Sequence, residues 1–314
     1  MPKKLDKIFN NSKIISIDLY LKKVLYDKNY GYYQSKNPFG AKGDFVTAPN
    51  ISNLFGEMIA IWFVSFWESL NKPKTINFVE LGPGNGDLCL ILLKTLKSFP
   101  SVFDAVNIFL YEKSKKLEKI QKKRIVSDKV NWVKNLNKIQ KGPIVFFGNE
   151  FLDALPIKQF KKINNDICER YVSLKKNKVE FIYKKALKKN INKLKKYNLL
   201  KTLGIIEYPE NGFKELKIVC NKIKKMNGGA LFIDYGSYGG FGDTLQAITK
   251  HSFTDPLNNP GNSDLTTHVN FEAISDTVKS KGLRTTELIS QRDFLSALGI
   301  RDRSRALSRN CHGS

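Results

Sequence analysis

The segment Phe78-Val79-Glu80-Leu81-Gly82-Pro83-Gly84-Asn85-Gly86-Asp87 constrains this chain more than any other. Ile76 to Leu81 reads as a short buried strand, Gly82 to Gly86 as a tight turn, and Leu88 to Leu96 as a helix apolar on nearly every face. A bend this sharp needs glycine, which tolerates positive φ and lets a ligand approach bare backbone. Glu80, at the carboxyl end of the strand, is placed to accept hydrogen bonds. The helix opening near Asp87 presents unpaired N–H groups above the strand edge. Strand, glycine turn and helix opening together predict a nucleotide pocket.

Glycine spacing alone is weak evidence, since G-x-G-x-G also occurs in plain turns that only pack a helix on a strand. An NAD fingerprint carries its acid after the next strand. Here the acid lies two positions before the first glycine, and E-x-G-x-G-x-G resembles the first motif of S-adenosylmethionine-dependent methyltransferases. The predicted second strand, Val106 to Tyr111, ends at Glu112, 26 residues beyond Gly86. An acid at that strand end binds ribose hydroxyls in nucleotide-binding α/β units. The plainer reading of Glu112 is a solvated acid at the start of a helix, Lys113 to Arg124.

Composition narrows the partners. The 314 residues carry a formal charge of +24, almost all from lysine spread between Lys3 and Lys250, while six of the eight arginines fall at or after Arg284. No arginine-rich or aromatic-interleaved block is present, so nucleic acid is not the expected partner despite the charge. Cys89, Cys168, Cys220 and Cys311 lack the spacing of a zinc site or a disulfide frame, and no metal is expected. Cys89, in an apolar helix, reads as a small core residue. Leu54 to Trp67 is apolar but contains Glu57 and is too short to span a bilayer. The amino terminus lacks an apolar signal core, which together predicts a cytoplasmic protein.

In chain order, Ile14 to Tyr26 predicts an amphipathic helix with Ile17, Leu21, Val24 and Leu25 on one stripe. Tyr32, Tyr33, Gly43, Asp44 and Phe45 then suggest a lid. Strands are expected at Val130 to Val133 and Ile144 to Phe147, the latter running into Asn149, Glu150 and Asp153 at the sheet edge where open α/β folds place chemistry. Paired carboxylates there suit a guanidinium, matching its forked donors and taking up a proton; alternatively, Asn149 and Asp153 cap a helix. Ile157 to Ala186 predicts an inserted β-hairpin around Lys176-Asn177. A strand from Ala230 ends in Asp234, a candidate either to touch substrate or to position the residues that do. The loop region from Gly242 to Phe271 is long enough to be functional, with Leu245, Phe253, Leu257 and Val269 as its anchors. In it, His268 either orients a carboxylate or a peptide substrate or is a structural histidine. A helix to Lys281 and a strand, Thr285 to Ile289, follow. The expected organisation is 1–72, amino-terminal helices and lid; 73–156, cofactor-binding core; 157–227, inserted hairpin and helices; 228–300, completion of the core with the substrate loop; 301–314, a disordered or divergent tail.

Taken in order, Y-G-Y-Y, F-G-A-K-G-D-F-V-T-A-P, E-L-G-P-G-N-G, N-E-F-L-D-A-L-P, I-D-Y-G, G-D-T-L-Q-A and D-P-L-N-N-P-G-N-S-D-L-T-T-H-V resemble the MidA family, the methyltransferases of the mitochondrial complex I assembly factor, from about Tyr30 to Ile300. The resemblance implies an α/β class I methyltransferase fold with a mainly parallel Rossmann-like sheet. It further implies S-adenosylmethionine as donor, and a protein substrate methylated on arginine, in the mitochondrial case a subunit of respiratory complex I. On the matching positions the donor would be held by Glu80, Gly82, Gly84, Gly86, Glu112 and Asn149, with Gly43 and Asp44 from the lid, while Glu150, Asp153 and His268 serve the acceptor. Members of the family continue past the stretch matching Phe294 to Ile300, so the arginine-rich end of this chain is expected to be truncated or divergent. Two rivals remain: an assembly factor with a residual donor pocket, and an RNA methyltransferase, the latter lacking the N-P-P-Y motif. The sequence leaves oligomerisation open.

Overall fold

The computed structural model describes residues 2–35, 53–202, 204–240, 242–249 and 252–311. The strands of its two main sheets are, in chain order, β1 (Ile14–Ser16), β2 (Ile76–Leu81), β3 (Val106–Tyr111), β4 (Val130–Val133), β5 (Ile144–Asn149), β6 (Lys158–Ile163), β7 (Asp166–Lys175), β8 (Lys178–Lys185), β9 (Ile205–Tyr208) and β10 (Gly228–Ile233). They fall into two compact units. One comprises Phe39–Asn149, Lys222–Ile233 and Glu287–Ser314; the other comprises Met1–Pro38, Glu150–Asn221 and Asp234–Thr286.

The first unit is built on a parallel sheet of order β10-β5-β2-β3-β4. Every residue of β2 is buried, the polar Asn77 and Glu80 included, because a parallel sheet is covered on both faces. Phe78 packs edge-on against Phe63 with ring centroids 5.0 Å apart and stacks on Phe147 at 6.2 Å. Burying such a ring contributes about 1.5–3 kcal/mol. Phe63 lies on the helix Asn53–Ser69, and Gly56 of that helix brings it close to the helix Asp87–Leu96: a Cβ there would lie 2.7 Å from Ile91 Cγ2. Cys89 is fully buried in this core, where burial pushes its thiol well above the ordinary range. Among the described residues, no helix is long and apolar enough to cross a membrane.

The second unit holds an antiparallel sheet of order β1-β7-β6-β9, with β8 on the far side of β7. The expected hairpin is present as β7 and β8, turned at Lys176 and Asn177 with φ of +45° and +65°. Positive φ at both central residues gives the turn whose twist matches the flanking strands. The sequence reading missed that β6, β9 and β1 extend this hairpin into a five-stranded sheet. Consequently Ile14–Ser16 is strand, and the predicted helix starts at Ile17; its stripe of Ile17, Leu21, Val24 and Leu25 is buried as expected.

Four further expectations need correction. Residues 234–286 belong with the inserted sheet instead of completing the parallel core. Much of the long loop is β-structure, with Gln246–Thr249 pairing antiparallel to Ser252–Thr254 and to Asp264–Thr266; Ala247, Leu265 and Val269 anchor it, while Phe253 is 77 % exposed. Thr285 to Ile289 forms no strand, being largely exposed and without pairing. The tail is helical from Ile300 to Cys311, with Arg303 paired to Glu57 at 2.7 Å.

Candidate functional site

Parallel pairing sets the strand tips of the first unit in register. Leu81 lies opposite Tyr111, Glu80 opposite Phe147, and Asn149 opposite Ile233. The glycine turn, Glu112 and Asn149 therefore all leave the sheet from its carboxyl edge, where open α/β sheets bind ligands. Gly82, Gly84 and Gly86 have φ of +68°, +54° and +81°, so the turn uses the conformational freedom its composition offers. At Gly86 a side chain is excluded twice, since a Cβ would also lie 2.7 Å from Ile125 Cδ1. The helix Asp87–Leu96 begins directly after it, with its first N–H groups at the turn.

Two acids flank this turn. Glu80 is buried, and among the described residues its Oε2 has no hydrogen-bond partner. Burial, reinforced by the charges of Asp87 and Glu112, pushes its carboxyl up to about 8. Glu112 is also buried, and burial pushes it to about 7 against the pull of its hydrogen bonds. Its Oε1 accepts from Ser114 N at 2.6 Å and its Oε2 from Gln121 Nε2 at 3.2 Å. Glu112 precedes the helix Lys115–Arg124, whose N-cap is Ser114, and it is not solvated as the plainer reading expects; besides these bonds and one from the Lys113 backbone, a carboxylate retains lone-pair capacity for a ribose hydroxyl.

Gln121 is the residue that sequence reasoning overlooked. It is fully buried, donates also to Gly84 O at 2.7 Å and accepts from Trp132 Nε1 at 3.0 Å. One amide side chain therefore ties the glycine turn to the acid at the next strand tip. The available signal was a polar residue one turn after Leu117, on the apolar stripe of a lysine-rich helix.

The second unit contains a different acid cluster. Glu150 follows Asn149 in the chain and has a left-handed φ of +51°, uncommon for a residue with a side chain. No helix follows, so the expectation that Asn149 or Asp153 caps one is wrong; residues 150–157 are turns and bends. Instead Asp234 Oδ2 accepts from Leu152 N at 2.8 Å and Asp153 N at 3.3 Å, while its Oδ1 accepts from Tyr235 N at 2.9 Å. Asp153 O accepts from Thr267 N at 3.1 Å. Burial, followed by the charges of Asp234, Asp264 and Glu150, holds the Asp153 carboxyl well above its usual range. Asp234 is raised by burial to about 7, with its three backbone donors pulling the other way.

The remaining predicted residues are placed as follows. Tyr32 is fully buried, and Tyr33, partly buried, donates its hydroxyl to Asp264 Oδ1 at 2.8 Å. Gly43, Asp44 and Phe45 of the expected lid lie outside the described residues. His268 is exposed; its N–H donates to Thr244 Oγ1 at 2.8 Å, and among the described residues its ring bonds no carboxylate. It borders a small pocket of about 40 Å³ with Glu207, Thr244, Asn270 and glycines 239, 240 and 242, space for a water or two. Among the described residues no group of His, Cys, Asp and Glu is arranged to hold a metal ion.

An all-parallel sheet with a bare glycine bend after its central strand, and acids at two adjacent strand tips, defines a Rossmann-like nucleotide-binding fold of the class I methyltransferase type. Its residues suit a cationic adenosyl ligand: the orphaned Glu80 oxygen lacks a donor, the bend admits close approach, and Glu112 has acceptor capacity to spare. Over residues 58–289 the chain matches, and belongs to, the family described as "Putative S-adenosyl-L-methionine-dependent methyltransferase". It is 29% identical to the mitochondrial protein arginine methyltransferase NDUFAF7 of Mus musculus, across 93% of this chain and 72% of that protein. The Caenorhabditis elegans homolog of NDUFAF7 is 32% identical, across 95% and 76%. A superfamily protein of Burkholderia thailandensis, crystallised with S-adenosyl-homocysteine, superposes with a TM-score of 0.79 at 28% identity, covering 94% of this chain and 79% of that one.

Proposed function

We propose that this chain transfers a methyl group from S-adenosylmethionine to an arginine side chain of a protein substrate, a subunit of respiratory complex I, in support of that complex's assembly. The observation that carries the reading is the bend with three left-handed glycines beside the buried and unpartnered oxygen of Glu80, in a chain of this methyltransferase family. The names of the relatives, protein arginine methyltransferases, support arginine as the acceptor. When bound, S-adenosylmethionine supplies an electrophilic methyl group on a sulfonium.

In this reading Glu80, Gly82, Gly84, Gly86, Glu112 and Asn149 hold the donor. Glu150 and Asp153 hold the guanidinium by its forked donors and accept the proton that its nitrogen releases on alkylation. His268, exposed on its loop, contacts the peptide around the arginine. The free thiols Cys89, Cys168 and Cys220 fit a reducing compartment, and we place the enzyme in the cytoplasm.

The test is incubation of the purified chain with S-adenosylmethionine carrying a labelled methyl group and solubilised complex I subunits, followed by peptide mass spectrometry. One subunit is expected to gain methylarginine, and Glu150→Gln to lower the yield by about 100-fold or more. Absence of any methylarginine would overturn the reading, and donor binding without product would leave an assembly factor in its place.

A further inference from the structure

In a chain with 53 basic residues and 29 acidic ones, buried carboxylates that converge need an explanation. Asp153, Asp234 and Asp264 come from three separate segments, each fixed by hydrogen bonds. The main chain at Asp153 is held at both ends: its N–H and that of Leu152 donate to Asp234, and its carbonyl accepts from Thr267. The next carbonyl, of Ala154, accepts from the Tyr26 hydroxyl at 2.7 Å. Asp264 is positioned by the Tyr33 hydroxyl and by Leu265 N at 3.0 Å. Yet Asp153 Oδ1 has no hydrogen-bond partner among the described residues, although Asp153 is only 7 % exposed.

An isolated acceptor in such a place costs roughly 1–3 kcal/mol, and more when charged. The Asp153 carboxyl takes a backbone hydrogen bond from Ala154, and fixing the backbone on both sides of a residue one of whose carboxylate oxygens is then left open is poor structural economy but sound preorganisation of a receptor. Aromatic rings complete the surroundings: Tyr33 stacks on Tyr26 with centroids 5.4 Å apart and meets Tyr32 edge-on at 5.2 Å. Carboxylates on separate segments beside a tyrosine hydroxyl match a planar cation whose donors point several ways, and an ammonium point charge less well.

We infer that Asp153, Asp234, Asp264 and Tyr33 form a preorganised receptor for an alkylguanidinium, with Asp153 Oδ1 as its open acceptor, Tyr33 and Asp264 completing the wall, and Asp234 acting as a positioning residue for Asp153. The inference rests on the arginine reading above but adds to it the residues that select the cation.

Calorimetric titration of the full chain with Nα-acetyl-arginine methylamide, and with the lysine and citrulline analogues, tests it without any methyl transfer. The arginine probe is expected to bind, the neutral citrulline probe not to bind measurably, and the lysine probe to bind more weakly. Asp153→Asn should weaken the arginine probe on the order of tenfold or more. Tyr33→Phe, which removes one hydroxyl, should weaken it severalfold, keeping the idea testable if Asp153→Asn folds poorly; affinity for S-adenosyl-homocysteine reports that each variant is folded. Equal binding of arginine and citrulline probes, no binding of the arginine probe, or folded variants with unchanged affinity would overturn the receptor. Arginine methylation insensitive to both substitutions would sink the receptor and spare the proposed function. Selective arginine-probe binding with no methylated product from any substrate would do the reverse.

Discussion

Each unit of this molecule buries a set of carboxylates, and the two sets are assembled in opposite ways. Glu80 and Glu112 stand at the tips of adjacent parallel strands, delivered there by one strand–helix crossover. Their separation follows from local chain geometry, and the single amide of Gln121 joins turn to acid. Asp153 and Asp234 are 81 residues apart, and the hydrogen bond between Tyr33 and Asp264 spans 231 residues. That site exists only after three segments have been fixed by side-chain bonds to backbone. The parallel unit therefore encodes its chemistry in a motif, whereas the antiparallel unit encodes it in tertiary contacts.

The largest expected effect lies in the motif. Gly86→Val would force a β-branched side chain into φ of +81° with its Cβ against Ile125. A loss of about 2–4 kcal/mol in urea unfolding is expected, together with loss of detectable S-adenosyl-homocysteine binding by calorimetry. Retained binding would mean that the bend is not what the donor approaches.

Next in size is Glu80→Gln, expected to weaken S-adenosyl-homocysteine about 10- to 100-fold. It also has a signature in pH. The ordinary value of 4.5 rises to about 8 in the folded protein, so the native state holds this proton more tightly than the unfolded chain does. The stability from Glu80 is thus complete below pH 4.5 and is lost as pH climbs through 8. The melting temperature of the ligand-free protein should fall over that window, and Glu80→Gln should flatten part of the fall. An unchanged slope would show that Glu80 does not carry the proton. Glu112, Asp153 and Asp234, raised in the same direction, would contribute to what slope remains.

What the sequence disclosed follows the same division. Strands Ile76–Leu81, Val106–Tyr111 and Val130–Val133 are legible to the residue because they are short, mostly apolar runs and the glycines after the first adopt positive φ. Glu80 and Glu112 were legible as the acids ending such strands. In the antiparallel unit, adjacent lysines in β6 (Lys161, Lys162) break the two-residue period, β9 is four residues long and β1 three, so three strands beyond the hairpin escaped notice. Asp264 and Tyr33 gave no local sign of each other. Asp153 was identified through its neighbours Asn149 and Glu150, but its fixation by Asp234 and Thr267 could be seen only in three dimensions.

The smallest expected effect tests whether loops in the second unit are indeed set by side chains. Arg170 on β7 donates to Gln159 Oε1 at 3.0 Å and pairs with Asp243 at 2.8 Å; Gln159 Nε2 donates to Glu207 Oε1 at 2.9 Å. Thr244 closes the chain, donating its hydroxyl to Glu207 Oε2 at 2.7 Å and accepting from His268 N at 2.8 Å. The inserted sheet thereby holds the segment carrying His268. Thr244→Val keeps the shape of the side chain and the backbone bond from Thr244 N to Glu207 Oε1, but leaves Glu207 Oε2 and His268 N each without this partner. A cost of about 1–2 kcal/mol is expected in urea unfolding. Faster amide hydrogen exchange should be confined to residues 266–270, while affinity for S-adenosyl-homocysteine stays constant. If exchange in that segment were unaltered, backbone pairing alone would suffice to hold it, and the contrast between a motif-encoded unit and a contact-encoded one would be drawn too sharply.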